Sequence, residues 1–320
     1  MKTYLQGHTA DEQFAKPGRI VVASDLTDLD FLLPHAIAQA KAYGATLTLA
    51  HAVTVGASKV TFGIERPEQL ETDAQQLDMA MRKVKAEGVN CTSQIAHAFL
   101  PDDFVQDVVG RTDAQRVIMA SHGRGSLGRL TLGSIAHQLL STSKIPAFVV
   151  GPKSLSRSQH FYPKRILHPV SLSGAYSDSV KFAYNIAELH GAELMLMHVL
   201  DPDLSKEVNP AKSVKWTRKA LEAAIPDKAT VAVPLSMQVV SGNILDEVLR
   251  TAVTFNADWI VFGTTPSPYA PLLASSAAYK IMAAIDIPVL TFPHRVQLSA
   301  PEVEEIEMPL KVGHFAPDPL

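Results

Sequence analysis

The stretch ASHGRGSLGRLTLGS, residues 120 to 134, carries four glycines at positions 123, 125, 128 and 133. A residue without a side chain at Gly123 lets the main chain approach a phosphate or ribose closely, and Gly133 with Ser134 opens a helix whose first N–H groups and hydroxyl can face an anion. Ala120 is small for the same reason. Asp25 follows the run RIVVAS, where a carboxylate can accept hydrogen bonds from an adenine amino group or from ribose hydroxyls. Each of these residues also has a purely structural use: the glycines can cap a helix, and Asp25 can be an N-cap, a role open to Thr27 or Asp28 as well.

The letters G-R-G-S-L-G match the dinucleotide fingerprint, but that motif belongs in the first strand-to-helix turn, with an acidic residue about 20 positions on. Here the glycines follow a fourth strand, and QLLSTSKIPAFVV, residues 138 to 150, contains no Asp or Glu. The placement therefore argues against NAD as the ligand, and the lack of G-K-[ST] excludes a Walker A loop. His51 and His198 stand at matching strand ends and read as hydrogen-bonded structural residues, whereas His122, inside the glycine loop, can touch a nucleotide. No Ser-His-Asp order and no carboxylate pair stands out, so no catalytic residue is assigned, and the histidine spacing suggests no metal cage. The single cysteine, Cys91, precludes an internal disulfide and reads as a small buried apolar side chain in a reducing compartment.

These residues need a scaffold, and the chain spells the same one twice. RIVVAS, the helical pattern FLLPHAIAQAKAYG closed by Gly44, and TLTLAHAV are matched by RILHPVSLS, SVKFAYNIAELHG and AELMLMHVL. Asp25 and Ser171 lie 146 residues apart at the equivalent turn. The parallel continues through a polar amphipathic helix, a strand and a further helix, and ends with IPAFVVGP against IPVLTFP. A period of this length fits a duplicated domain rather than a solenoid. Strands alternating with helices predict βαβ units: five strands and four helices per half, a parallel sheet covered on both faces, and a ligand crevice at the strand carboxyl ends.

With 29 basic and 32 acidic residues among 320, nothing favours nucleic acid or an anionic membrane as the main partner, and no run approaches the roughly 20 apolar residues of a spanning helix. Residues 1–18 lack the apolar stretch of a signal peptide, so the chain reads as unexported and cytoplasmic. Residues 153–162 read as a linker. The tail after Pro293, with acidic clusters and four prolines, has little structure of its own to expect, although residues 302–311 could pack against a partner surface.

The combination RIVVASDLT, LAHAV, ASHGRGSLGRLTLGSIAHQLL and IPAFVVGP resembles the universal stress protein family in its tandem form, closely over residues 17–152 and less closely over 163–293. The resemblance implies two flavodoxin/Rossmann-like α/β domains at 17–152 and 163–295, an N-terminal extension at 1–16 and a tail at 296–320. It implies ATP, or ADP or AMP, with Mg2+ carried on the phosphates. Asp25, Ala52, Met119 and Ala120 would hold adenine and ribose; Gly123, Arg124, Gly133 and Ser134 would cradle the phosphates, with Arg129 as a further cation. Ala120 departs from the family's glycine there and adds a methyl group beside the ribose. The second half has Ser171 for Asp25, Pro266 opposite Gly123 and Ser275 opposite Gly133, so nucleotide is expected in the first half only. The family pattern also implies pairing of the two halves through their last strands, and a homodimer. Its regulatory reading competes with slow ATP hydrolysis or adenylyl transfer, and with a nucleotide-free scaffold.

Overall fold

The computed structural model describes residues 10–54, 67–121, 132–154, 161–172, 176–201, 210–226, 233–264 and 277–293. A short helix α1 (Ala10–Ala15) leads into β1 (Arg19–Ala23), α2 (Leu29–Tyr43), β2 (Thr46–Thr54), α3 (Pro67–Ala86), β3 (Cys91–Ala98), α4 (Pro101–Thr112), β4 (Arg116–Ala120), α5 (Ser134–Thr142) and β5 (Ala147–Val150). The second half repeats the series: β6 (Arg165–Pro169), α6 (Tyr176–His190), β7 (Glu193–Leu200), α7 (Pro210–Ala223), β8 (Leu235–Ser241), α8 (Ile244–Thr254), β9 (Trp259–Thr264), α9 (Ala277–Ala284) and β10 (Val289–Pro293). The central strands are buried along almost their whole length, as the continuous apolar runs RIVVA, RVIMA and AFVV require of a sheet covered on both faces. Gly44 ends α2 at φ +68°, its N–H bonded to the Ala40 carbonyl, and Gly191 at φ +61° ends α6 in the same left-handed conformation.

All ten described strands form one sheet in the order β3-β2-β1-β4-β5-β10-β9-β6-β7-β8. Each half thus has the order 3-2-1-4-5, which is the Rossmann winding and not the flavodoxin one. Within a half all pairings are parallel; the halves meet through an antiparallel pair, with Phe148 opposite Leu290 and Val149 opposite Val289. Thr291 Oγ1 adds side-chain bonds to the Ala147 N–H (3.2 Å) and carbonyl (3.3 Å). In IPAF and IPVL, Phe148 and Leu290 are equivalent residues, so the register places a pseudo-twofold axis through this pair, normal to the sheet. The β5 and β10 edges that a lone half would leave open are thereby closed, while β3 and β8 remain the two edges of the sheet.

An axis normal to the sheet keeps each face on its own side, so the two cores run continuously across the junction. One core joins Leu32, Leu47 and Leu77 to Val180, Phe182 and Leu221; the other joins Val105, Met119 and Leu139 to Val248, Phe262 and Ile281. At the junction Phe148 meets Trp259 edge-on (4.8 Å between centroids), and Phe182 stacks on Phe292 (4.6 Å). Equivalent helix ends also meet there: Tyr43 and His190 share a hydrogen bond of 2.8 Å. Burial, reinforced by the Arg116 charge, lowers the His190 pKa to about 4, so this imidazole is neutral at physiological pH.

The leading segments are exchanged between halves. Helix α1, which precedes the first half, packs on α6 of the second. Reciprocally, Phe161 and Tyr162, which precede the second half, pack on α2 of the first, through the His35 ring (5.2 Å) and the Ala38 carbonyl (3.2 Å). Arg116 sits fully buried beneath α1. Its guanidinium donates to the Phe14 and Ala15 carbonyls and to Gln39 Oε1 and lies over the Tyr43 ring, with no carboxylate partner among the described residues.

Candidate functional site

Order 3-2-1-4-5 reverses its winding between β1 and β4, and the carboxyl ends of those strands open the crevice in which such sheets take ligands. Asp25 stands there, half-buried, in the turn after β1. Its Oδ1 accepts from the Thr27 N–H (2.9 Å) and from Thr27 Oγ1 (2.6 Å), an Asx-type turn that orients the carboxylate. No described residue bonds Oδ2. The turn is strained: Leu26 holds φ +70°, a conformation that costs a branched side chain of order 1–3 kcal/mol.

A second carboxylate, which the sequence suggested only as a cap, lies behind the first. Asp28 occupies the N-cap position of α2 but makes no capping bond; instead Ser24 Oγ donates to its Oδ1. Burial pushes the Asp28 pKa up to about 6, the Ser24 bond opposes the rise, and the neighbouring Asp25 charge adds to it. The spacing Ser24-x3-Asp28 across a turn was the available signal. His51, at the end of the adjacent β2, ties the loop in place: Nδ1 meets the Ser24 carbonyl at 2.9 Å and Nε2 meets Asp73 Oδ2 on α3 at 3.3 Å. His198 repeats the first of these bonds to the Val170 carbonyl (2.8 Å). Both histidines are thus structural ties, as their matching positions suggested.

Ala52 lies near the end of β2, paired in register with Ala96, and Met119 and Ala120 end β4 beside β5. Met119 is buried in the core and gives the crevice main chain, whereas Ala120 is partly open. Gly133 corrects an expectation. Its N–H is not free for an anion, because it donates to the Ser121 carbonyl at 2.9 Å. That bond stitches the start of α5 to the end of β4. Gly123, Arg124, His122 and Arg129 lie outside the described residues, as do Pro266 and Ser275 of the second half. Ser171, at the position equivalent to Asp25, is exposed. Cys91 is buried, and desolvation raises its thiol pKa to about 11, which makes it unreactive. Among the described residues no group of three His, Cys, Asp or Glu side chains is placed to hold a metal ion, and no helix is long and apolar enough to cross a membrane.

Fold and crevice together define a tandem doubly wound α/β protein with a carboxylate at the switch point of its first half. The chain belongs to the universal stress protein family: the model of that family matches residues 17–151 and again 163–293. No curated protein matches the chain. Among solved structures, a universal stress protein from Archaeoglobus fulgidus is similar over 88% of this chain and 97% of its own, at 15% identity and a TM-score of 0.62. A functionally unknown protein from Pseudomonas aeruginosa is similar over 88% and 94%, at 16% identity and a TM-score of 0.63. A universal stress protein from Archaeoglobus fulgidus in complex with dAMP aligns with 41% of this chain and 95% of its own, at 19% identity and a TM-score of 0.33.

Proposed function

We propose that this chain is an adenine-nucleotide-binding regulatory protein that holds ATP, or its di- or monophosphate, in the crevice of the first half only. The observation that carries the reading is the bonding of Asp25 in the turn after β1: one carboxylate oxygen is spent on orienting the group, and the other accepts no bond from a described residue. A carboxylate oxygen of this kind is a strong acceptor for a ribose hydroxyl or an adenine amino group. The second half offers Ser171 in its place, which cannot supply that charge. In this reading the amides of Ser134 and the next residues of α5 receive a phosphate, Gly123 and Arg124 complete the cradle, and magnesium travels on the phosphates.

Nucleotide then acts by mass action. A ligand at 100 times its Kd stabilises the state that binds it by about 2.7 kcal/mol, which is enough to shift a conformational or oligomeric equilibrium such as homodimer formation. Calorimetric titration of ATP with magnesium into the intact chain tests this. One site per chain is expected, with loss of heat in Asp25→Ala and none in Ser171→Ala. Absence of saturable binding at millimolar ATP refutes the reading, and two sites per chain refute the restriction to the first half.

A further inference from the structure

Helix α7 turns Thr217 and Leu221 into the core and leaves Lys212, Lys215, Trp216, Arg218 and Lys219 outside. Trp216 is 65% exposed, an unusual position for the side chain with the largest apolar area. Lys212 lies four residues before it and Lys219 three after, so the helix repeat places an ammonium group on each side of the indole. None of the four cations forms an ion pair with a described residue. The one acid on this strip is Glu222. Helix α3, the counterpart in the first half, carries Glu71 and Asp78 instead, with Arg82 paired to Asp78 at 2.7 Å. The cationic indole face therefore belongs to the second half alone, in a chain whose net charge is −3.

We propose that this face of α7 is the docking surface for the chain's own acidic segment, residues 302–310. That segment reads EVEEIEMPL: Glu302, Glu304, Glu305 and Glu307 oppose the four cations, and Val303, Ile306, Met308 and Leu310 supply apolar groups for Trp216. The distances permit it. β10 ends at Pro293 and runs parallel to β9, β6, β7 and β8, so the chain leaves the sheet at the edge where α7 begins. Four strand spacings of about 4.8 Å and one helix layer of about 10 Å separate β10 from α7. Nine extended residues reach from Pro293 to Glu302, about 30 Å, which covers that separation.

The two indoles make the test direct, because Trp259 is buried at the junction while Trp216 is the indole on this face. In the intact chain, docking shields Trp216 from acrylamide. Removing residues 301–320 is expected to raise its quenching constant about twofold, as an indole returns to water. A synthetic peptide of residues 300–311, added to the shortened chain, restores the shielding. At the millimolar effective concentration of a short linker, a peptide Kd below about 0.1 mM corresponds to a face that is about nine-tenths occupied in the intact chain. Lys215→Glu with Lys219→Glu in the intact chain reproduces the loss of shielding. In Trp216→Phe, Trp259 alone remains and shortening has no effect. Equal quenching of the intact and shortened chains overturns the proposal, as does an equal response from Trp216→Phe. Phosphatidylserine vesicles that shift Trp216 emission as far in the intact chain as in the shortened one also overturn it, since the face would then be open and suited to an anionic membrane.

Discussion

Asp28 is an ionisable group placed where ionisation is costly, and Asp28→Asn isolates that cost. Folding raises its pKa from 3.8 to about 6. The native state therefore binds the proton more tightly than the unfolded one, so this group's stabilisation is complete below about pH 4 and is lost as pH rises through 6. At 1.36 kcal/mol per pKa unit the loss is about 3 kcal/mol, an order-of-magnitude figure for a side chain that is 5% exposed. Other groups act in the same window with the opposite sign. His35 and His190 have pKa values lowered to about 4 by burial, so the unfolded state binds protons that the native state refuses, and stability rises with pH between about 4 and 6.5. The net pH profile of the wild-type chain thus conceals Asp28, and the difference between variant and wild type exposes it. The amide introduced by Asp28→Asn keeps an Oδ1 that accepts from Ser24 Oγ but cannot ionise. Urea unfolding at half-unit steps from pH 4 to 8 should show the variant gaining on wild type by about 2–3 kcal/mol between pH 4 and 7, then levelling. A difference that is flat across this window refutes the assignment of a buried, protonatable Asp28.

Asp25→Ala removes a carboxylate acceptor worth about 1.5–3 kcal/mol, so ATP affinity should fall about 10- to 100-fold in equilibrium dialysis while the urea midpoint stays near that of wild type. Gly133→Val keeps the amide that bonds Ser121 and should weaken ATP binding by crowding the start of α5, measured in the same dialysis; unchanged affinity would place the phosphates elsewhere. His190→Gln should flatten the rise of stability between about pH 4 and 6.5 relative to wild type, read by urea unfolding, because the neutral amide has no proton to refuse. Removing residues 1–16 strands the Arg116 guanidinium without its two carbonyl acceptors and should cost about 3 kcal/mol, whereas in Arg116→Met the same removal should cost far less; equal costs in this double-mutant cycle would show that α1 does not serve Arg116.

The architecture was legible in the sequence because it was written twice. Strand-sized apolar runs, Gly44 and its partner Gly191, and the shared IP-x-x endings set the element order, and pairing through the last strands follows from closing two exposed edges. What the sequence left open was geometric. Choosing between the two doubly wound orders depends on which side of β1 the third strand lies, and residue types carry no record of that. Helix α1 was missed because six residues give too little periodicity to detect. At the site, Asp25 and Ala120 could be placed from their distance to strand ends alone. The bond from the Gly133 amide to Ser121 could not, because it arises from how closely α5 approaches β4. Asp28 was undervalued for a related reason: burial is a property of packing, and S-D-L-T-D reads equally well as an exposed cap.

The antiparallel junction also explains why the two halves could diverge so unequally. Strands parallel within each half but antiparallel across the axis send the two sets of carboxyl ends to opposite edges of the sheet, so the crevices cannot share a ligand and loss of one leaves the other intact. Near the axis the constraint is reversed. Arg116 and Trp259 occupy equivalent positions, as do Tyr43 and His190, and all four residues meet across it through one hydrogen bond, one cation–π contact and edge-on rings. Two identical first halves would each bury a guanidinium without a carboxylate beside this junction, at a desolvation cost of several kcal/mol per ion. The second half instead carries an indole and a neutral imidazole at these positions, so the junction is asymmetric. That asymmetry ties the first half to its sibling as its proper partner, and it leaves the second half's crevice free to lose its carboxylate while its structural role is kept.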